Sequence, residues 1–230
     1  MDIQILQLLE GAELARGLTV IIDVLRAFSL ECFLADWGAA ELRPVGSLEE
    51  TFAWRDRDPS VLLVGERGGA RCPGFDYGNS PCSILPEAVR GRRVIHTTSA
   101  GTQGLTRAIH AEERIAGSLV NAVAVAAYIR QRQPAVVSLV AMGNGGVREA
   151  PEDVLCAEYV RSLVLGQPFP DLDARLRALR WRGGEHFFNP DTQGIYPEAD
   201  FWLCTKRDQF PFVLRAEEDE LGLYMEKVPV

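Results

Sequence analysis

Leu18-Thr19-Val20-Ile21-Ile22, followed at once by Asp23-Val24-Leu25-Arg26, is the stretch that decides the fold. Its near-continuous apolar character reads as a strand covered on both faces, the habit of sheets in α/β proteins. Four further runs repeat the pattern of an apolar strand ending in small or polar residues. Val61-Leu62-Leu63-Val64 ends in Gly65-Glu66-Arg67-Gly68-Gly69, and Arg93-Val94-Ile95 ends in His96-Thr97-Thr98-Ser99-Ala100-Gly101-Thr102. Arg114-Ile115-Ala116 ends in Gly117-Ser118-Leu119-Val120-Asn121, and Ala135-Val136-Val137-Ser138-Leu139-Val140 precedes Gly143-Asn144-Gly145-Gly146. Helical patterns over 29–40, 101–111, 121–132 and 152–165 fit between the strands. In the last, Val154, Leu155, Tyr159, Val160 and Leu163 make an apolar stripe that reads as core. The alternation predicts an α/β fold with a mostly parallel sheet. Similar strand–hydroxyl–helix patterns at 94–109 and 115–129 suggest an internal duplication. Ligands in such sheets bind beyond the carboxyl ends of the strands, where all five polar clusters fall.

The chain divides by composition into an α/β core over 1–165 and a C-terminal segment over 166–230. The second part opens with Pro168, Pro170, Pro190 and Pro197 and a basic helical patch from Arg175 to Arg182. It reads as a linker or lid, followed by Phe201-Trp202-Leu203-Cys204 and a hairpin near 211–228. The 230 residues are ample for a buried core, with 47% hydrophobic and 24% charged residues, so disorder is excluded. The formal net charge of −8 argues against a nucleic-acid partner, whose footprint is a basic face. Only Lys206 and Lys227 are lysines, so an anion grip must come from arginine, backbone N–H groups or hydroxyls. No apolar run reaches the ~18–20 residues of a membrane span. Met1-Asp2-Ile3-Gln4 lacks a basic, signal-like start. Five widely spaced cysteines, 32, 72, 82, 156 and 204, form no C-x-x-C pair and fit reduced thiols in a cytoplasm. A homodimer is the default expectation for the assembly.

Asp23, directly after an apolar strand, is the most informative residue. A carboxylate at a strand's inner end is either paired, here with Arg26, or bound to a metal. Thr97-Thr98-Ser99-Ala100-Gly101-Thr102 reads either as an anion cup at a helix start or as simple helix capping. Ser118 and Asn121 form a second, weaker cup. Glu66-Arg67 is either an arginine clamp for phosphate or carboxylate, or an exposed loop pair. Glu152-Asp153 opens a helix, where acids complement the dipole or hold Mg²⁺. Gly74-Phe75-Asp76-Tyr77-Gly78-Asn79-Ser80-Pro81 is dense in turn formers and alone reads as a loop. The three histidines, 96, 110 and 186, have no zinc-motif spacing, and His96 reads as a satisfied core histidine.

Several enzyme classes are struck out. The chain has no P-loop, no G-x-G-x-x-G after its first strand and no G-x-S-x-G elbow. Asp23 lacks the second Asp two residues on that haloacid-dehalogenase-like phosphatases use. No Cys has an Arg six positions later, as Cys-based phosphatases require.

Taken in order, Ile22-Asp23-Val24-Leu25-Arg26-Ala27, Gly65-Glu66-Arg67, the 74–81 loop, the 97–102 turn, Gly117-Ser118-Leu119-Val120-Asn121-Ala122 and Glu152-Asp153-Val154-Leu155-Cys156-Ala157 resemble the ComB family of 2-phosphosulfolactate phosphatases. The likeness spans about 18–160, with an echo near Asp208. Ala100 stands where typical members carry Asn, and the tail after Gly166, with its Phe187-Phe188-Asn189-Pro190 segment, lies outside the motifs that carry the resemblance. The resemblance implies a three-layer α/β/α sandwich and a Mg²⁺-dependent phosphatase. The implied reaction converts 2-phosphosulfolactate into 3-sulfolactate and phosphate, a step towards coenzyme M. On this reading Asp23, Glu152 and Asp153 hold the metal, and Asp23, Arg26, Glu66 and Arg67 form the catalytic set. Asn79, Ser80, Thr97, Thr98, Ser99, Gly101, Thr102, Ser118 and Asn121 bind the small anionic substrate. Water is the expected attacking group; Asp23, Ser99 and Ser80 are the alternatives as covalent nucleophile. Two rival readings are a non-catalytic anion-binding module and a phosphatase for another phosphorylated hydroxy acid.

Overall fold

The structure, a computed structural model, describes residues 1–230. The strands are β1 (Asp2–Gln7), β2 (Gly17–Ile22), β3 (Glu41–Pro44), β4 (Leu62–Arg67), β5 (Ala70–Arg71), β6 (Arg93–Thr97), β7 (Ala111–Gly117), β8 (Val136–Ala141), β9 (Phe212–Asp219) and β10 (Gly222–Pro229). The helices are α1 (Leu8–Leu14), α2 (Ala27–Asp36), α3 (Leu48–Arg57), α4 (Pro86–Val89), α5 (Gly101–Arg107), α6 (Ala122–Arg132), α7 (Pro151–Leu165), α8 (Leu172–Ala178) and α9 (Glu198–Thr205). All five apolar runs are strands, and the four helical patterns are α2, α5, α6 and α7, each shifted by a few residues at most.

The strands form two sheets. One has the order β1-β8-β2-β7-β9-β10, the other β3-β6-β4-β5. In the first, β1, β8, β2 and β7 run parallel, with Val20 facing Leu139 and Ile115 in the two ladders. The β9–β10 hairpin then joins antiparallel at the β7 edge. In the second sheet β3, β6 and β4 are parallel. The runs at 61–64 and 93–95 therefore belong to a separate sheet and do not extend the one built on β2. The C-terminal hairpin occupies the edge beside β7, and β10 runs alongside β3 with Arg43 of β3 bridging to Asp219 and the Gly222 carbonyl. The two segments read as a duplication thus fall in different sheets, β6 in one and β7 in the other.

Side-chain alternation on β2 explains the layering. Val20 and Ile22 pack with Val125 and Ile129 of α6 and Leu155 and Val160 of α7. Ile21, on the opposite face, packs with Phe28 and Leu30 of α2 and Leu105 of α5. Helices therefore cover both faces, giving an α/β/α sandwich. The far side of α2 and α5 meets Leu62, Val64 and Val94 of the smaller sheet, whose outer face is covered by Trp54 of α3. Both sheets send the carboxyl ends of their parallel strands towards one cavity, whose wall includes residues just beyond β2, β4, β6 and β8.

Candidate active site

Asp23 follows the last residue of β2 and is 7% exposed. Its Oδ1 accepts from the Ala27 N–H at 3.2 Å, and the nearby Gly101 backbone favours its charged form. The approach requires glycine, because a Cβ on residue 101 would lie 2.9 Å from both Asp23 Oδ2 and Ala27 Cβ. Burial pushes Asp23 up to about 6; the Ala27 amide opposes the shift and the Glu66 charge adds to it. Arg26 is not its partner.

The first turn of α7 brings two more carboxyl groups. Asp153 accepts from the Val24 N–H at 2.7 Å and from the Gly143 N–H at 2.8 Å, so it ties the ends of β2 and β8 together. Glu152 is buried, and its Oε2 has no hydrogen-bond partner. Burial pushes Glu152 up to about 7, with the Asp23 charge acting in the same direction. Burial and the same neighbours hold Asp153 well above the usual carboxylate range.

Glu66, the penultimate residue of β4, organises two turns. Its Oε1 accepts from the Ser99 N–H at 2.7 Å, and its Oε2 accepts from the Gly69 N–H at 2.6 Å and from Ser99 Oγ at 3.2 Å. Asn79 reaches the cavity from the 74–81 loop, its Oδ1 lying 3.2 Å from His96 Nε2. His96 Nδ1 lies 2.8 Å from Glu31 Oε1, and both side chains are fully buried. His96 is therefore the satisfied core histidine that its strand position predicts.

Other sequence-derived residues lie elsewhere or are already engaged. Arg26 borders the cavity, but its guanidinium donates to Asp200 Oδ2 at 2.9 Å, the Ile195 carbonyl at 2.8 Å and the Gly69 carbonyl at 3.1 Å. Arg67 donates to the Glu66 carbonyl and to Thr97 Oγ1 and is not part of the wall. Thr98 and Thr102 close on each other: the Thr98 N–H donates to Thr102 Oγ1 at 2.9 Å and the Thr102 N–H to Thr98 Oγ1 at 3.2 Å. That is the helix-capping alternative, and of the 97–102 turn only Ser99 and Ala100 line the cavity. Ser80 Oγ pairs with Ser83 Oγ. Ser118 and Asn121 are fully buried away from the wall. Ser118 Oγ contacts Ser29 Oγ at 2.6 Å, and the pair forms a capping box before α6. The second cup is thus a structural cap, because its hydroxyl and amide face the helix start instead of open space.

The cavity measures about 400 Å³. Asp23, Glu66, Asn79, Ser99, Glu152 and Asp153 line it together. Arg148, His186 and Tyr196 also line it and were missed. Arg148 follows the glycine cluster after β8, a signal present in the sequence; His186 and Tyr196 stand in the proline-rich segment, where no motif marks them. Burial and the Arg26 charge hold His186 below its ordinary value. Five acids, Asp23, Glu66, Glu149, Glu152 and Asp153, face two arginines across this wall. Four of these acids, all but Glu149, are buried; this excess of carboxylate favours a cation, and the unpartnered Glu152 Oε2 offers it a free oxygen. No three Asp, Glu, His or Cys groups form a ready-made cage; Mg²⁺ needs only one or two carboxylates and keeps several waters. No helix is long and apolar enough to cross a membrane.

Comparison with known proteins gives a consistent result. The family described as 2-phosphosulpholactate phosphatase matches residues 3–187. A probable 2-phosphosulfolactate phosphatase of Deinococcus radiodurans is 41% identical over 170 residues, which cover 72% of this chain and 70% of that protein. Proteins of the same description from Caldicellulosiruptor saccharolyticus and Bacillus subtilis are 38% and 26% identical. Those matches cover 66% and 88% of this chain and 64% and 88% of the respective relatives. With the match running from β1 to the segment that carries His186, the chain belongs to the 2-phosphosulpholactate phosphatase family.

Proposed function

We propose that the protein hydrolyses 2-phosphosulfolactate to 3-sulfolactate and phosphate with Mg²⁺ as cofactor. The observation that carries this reading is the pairing of Asp23 with Glu152 at one cavity wall. Each is held above its ordinary value by burial, the Glu66 charge raises Asp23 further, the Asp23 charge raises Glu152, and Glu152 keeps an unpartnered oxygen. These two residues would hold the metal, and Asp153 would fix the strand ends around them. When bound, Mg²⁺ would neutralise phosphoryl oxygens and the charge that develops as the ester bond breaks.

The chain's own groups do the positioning. Glu66 holds the Ser99 turn by its N–H, so that the Ser99 hydroxyl stands at the wall. His96 engages the Asn79 carbonyl oxygen, which leaves the Asn79 amino group to donate to a substrate oxygen. Water attacks phosphorus, the bond to the C2 oxygen breaks, and the proton lost by water balances the alkoxide that leaves as the hydroxyl of 3-sulfolactate. The five free thiols fit a reducing, cytoplasmic setting for this reaction.

The test is Asp23→Asn, which keeps the volume and removes the charge. Phosphate release from 2-phosphosulfolactate should fall by roughly 10²-fold or more, as for loss of a group that steadies the transition state, while the circular dichroism spectrum stays unchanged. A folded variant that turns over at the wild-type rate overturns the reading.

A further inference from the structure

The cavity contains one cation that the protein itself leaves free. Arg26 is 3% exposed and donates to Asp200 and two carbonyls. Arg67 serves the Glu66 carbonyl and Thr97. His186 is held towards its neutral form by burial and by Arg26. Arg148 is different. It is exposed, lines the same wall as Asp23 and Glu152, and its side chain has no ion pair or hydrogen bond within the protein.

The backbone that carries Arg148 is firmly held. The Asn144 N–H donates to the Arg148 carbonyl at 2.7 Å, and the Arg148 N–H returns to the Asn144 carbonyl at 3.3 Å. Gly143 makes this closure feasible: its φ is +67°, and a Cβ there would lie 2.2 Å from the Arg148 carbonyl oxygen. The Gly143 N–H is in turn fixed to Asp153 Oδ2. The turn that presents Arg148 is thus built on the residue that joins β2 to β8 beside the carboxylate pair.

We propose that Arg148 is the specificity-determining cation of this cavity and takes a second anionic group of the substrate, a sulfonate or carboxylate on the carbon chain; this rests on the phosphatase reading above. The carboxylate pair would hold the metal, which would supply charge neutralisation for the phosphate. A second anion needs a cation of its own, and a guanidinium fork matches two oxygens of a sulfonate or carboxylate. The protein then selects phosphoesters of acids over simple phosphoesters.

Two measurements on Arg148→Ala test this. In the first, kcat/KM is compared for 2-phosphosulfolactate and for p-nitrophenyl phosphate, which has no second anion. The expected result is a loss of roughly tenfold to hundredfold on the first substrate, the range of one charge-assisted contact, with the second unchanged and Arg148→Lys recovering part. Equal losses on both substrates, or no loss on the first, overturn the assignment. In the second, 3-sulfolactate binding is measured by calorimetry, which needs no turnover. The variant should bind about tenfold more weakly than wild type; equal binding, or no binding to wild type, overturns the assignment. A wild type that hydrolyses neither substrate yet binds 3-sulfolactate through Arg148 would sink the phosphatase reading and leave the anion site standing.

Discussion

Glu152 carries the most direct physical signature of the cavity. Its ordinary value is 4.5 and burial raises it to about 7, so the folded state holds the proton more tightly than the unfolded chain. The sign follows: this contribution to stability is present below about 4.5 and is lost as pH rises towards 7. Asp23 acts in the same direction between its ordinary 3.8 and about 6. The metal-free protein should therefore melt at a lower temperature at pH 8 than at pH 5, and Glu152→Gln should remove much of that difference. Mg²⁺ should raise the melting temperature at pH 8 more than at pH 5, because the ion favours the charged carboxylates. Thermal denaturation at the two pH values checks all three, and a flat wild-type profile contradicts the assignment. The sequence made Asp23 legible, because a charge directly after an apolar strand demands a partner. It left the identity of Arg26's partner hidden: Asp200 lies 174 residues further on, and no local pattern records a contact of that range.

At the scale of elements, the strand ends explain which polar clusters became cavity wall. Gly65 has φ +149°, and a Cβ there would lie 2.0 Å from the Thr97 carbonyl oxygen, so β4 and β6 approach only because residue 65 is glycine. Gly65→Ala should destabilise the fold by about 1–3 kcal/mol, the usual cost of overpacking, measured by urea denaturation. An unchanged midpoint would mean that the β4–β6 ladder relaxes freely. His96 on β6 makes a second element-level case. His96→Leu leaves the fully buried Glu31 without the ring that contacts its Oε1, while its Oε2 is already unpartnered. A stability loss of about 1–3 kcal/mol or more is expected, read from the same denaturation curves. The five strands and the helices α2, α5, α6 and α7 were readable because their apolar faces repeat at the right period. The two hydroxyl clusters were not separable by sequence. Capping and anion binding call for the same residue types at the same place, and only the inward closure of Thr98 on Thr102 and of Ser118 on Asn121 decides between them.

For the whole molecule, the division into two sheets and the course of the C-terminal segment were beyond local reading. Hairpin strands β9 and β10 were foreseen near 211–228, but where they dock depends on the free edge of β7, which no short pattern encodes. The segment over 183–200 reaches the cavity because Arg26 holds it: the guanidinium binds Asp200 and the Ile195 carbonyl and faces the rings of Phe187 and Tyr196. Arg26→Ala leaves Asp200, fully buried, without its counter-charge, and breaking such a pair costs about 3–5 kcal/mol. Limited proteolysis should then cut within 183–197 much faster than in wild type; an unchanged rate would show that the aromatic cluster alone holds the segment. All these scales meet in one claim, that carboxylates gathered at the strand ends of two sheets hold a cation for phosphoester hydrolysis. The most direct measurement is phosphate release from 2-phosphosulfolactate by wild-type protein stripped with EDTA, before and after Mg²⁺ is restored. The account predicts no release from the stripped protein and recovery with Mg²⁺; undiminished release without metal would contradict it.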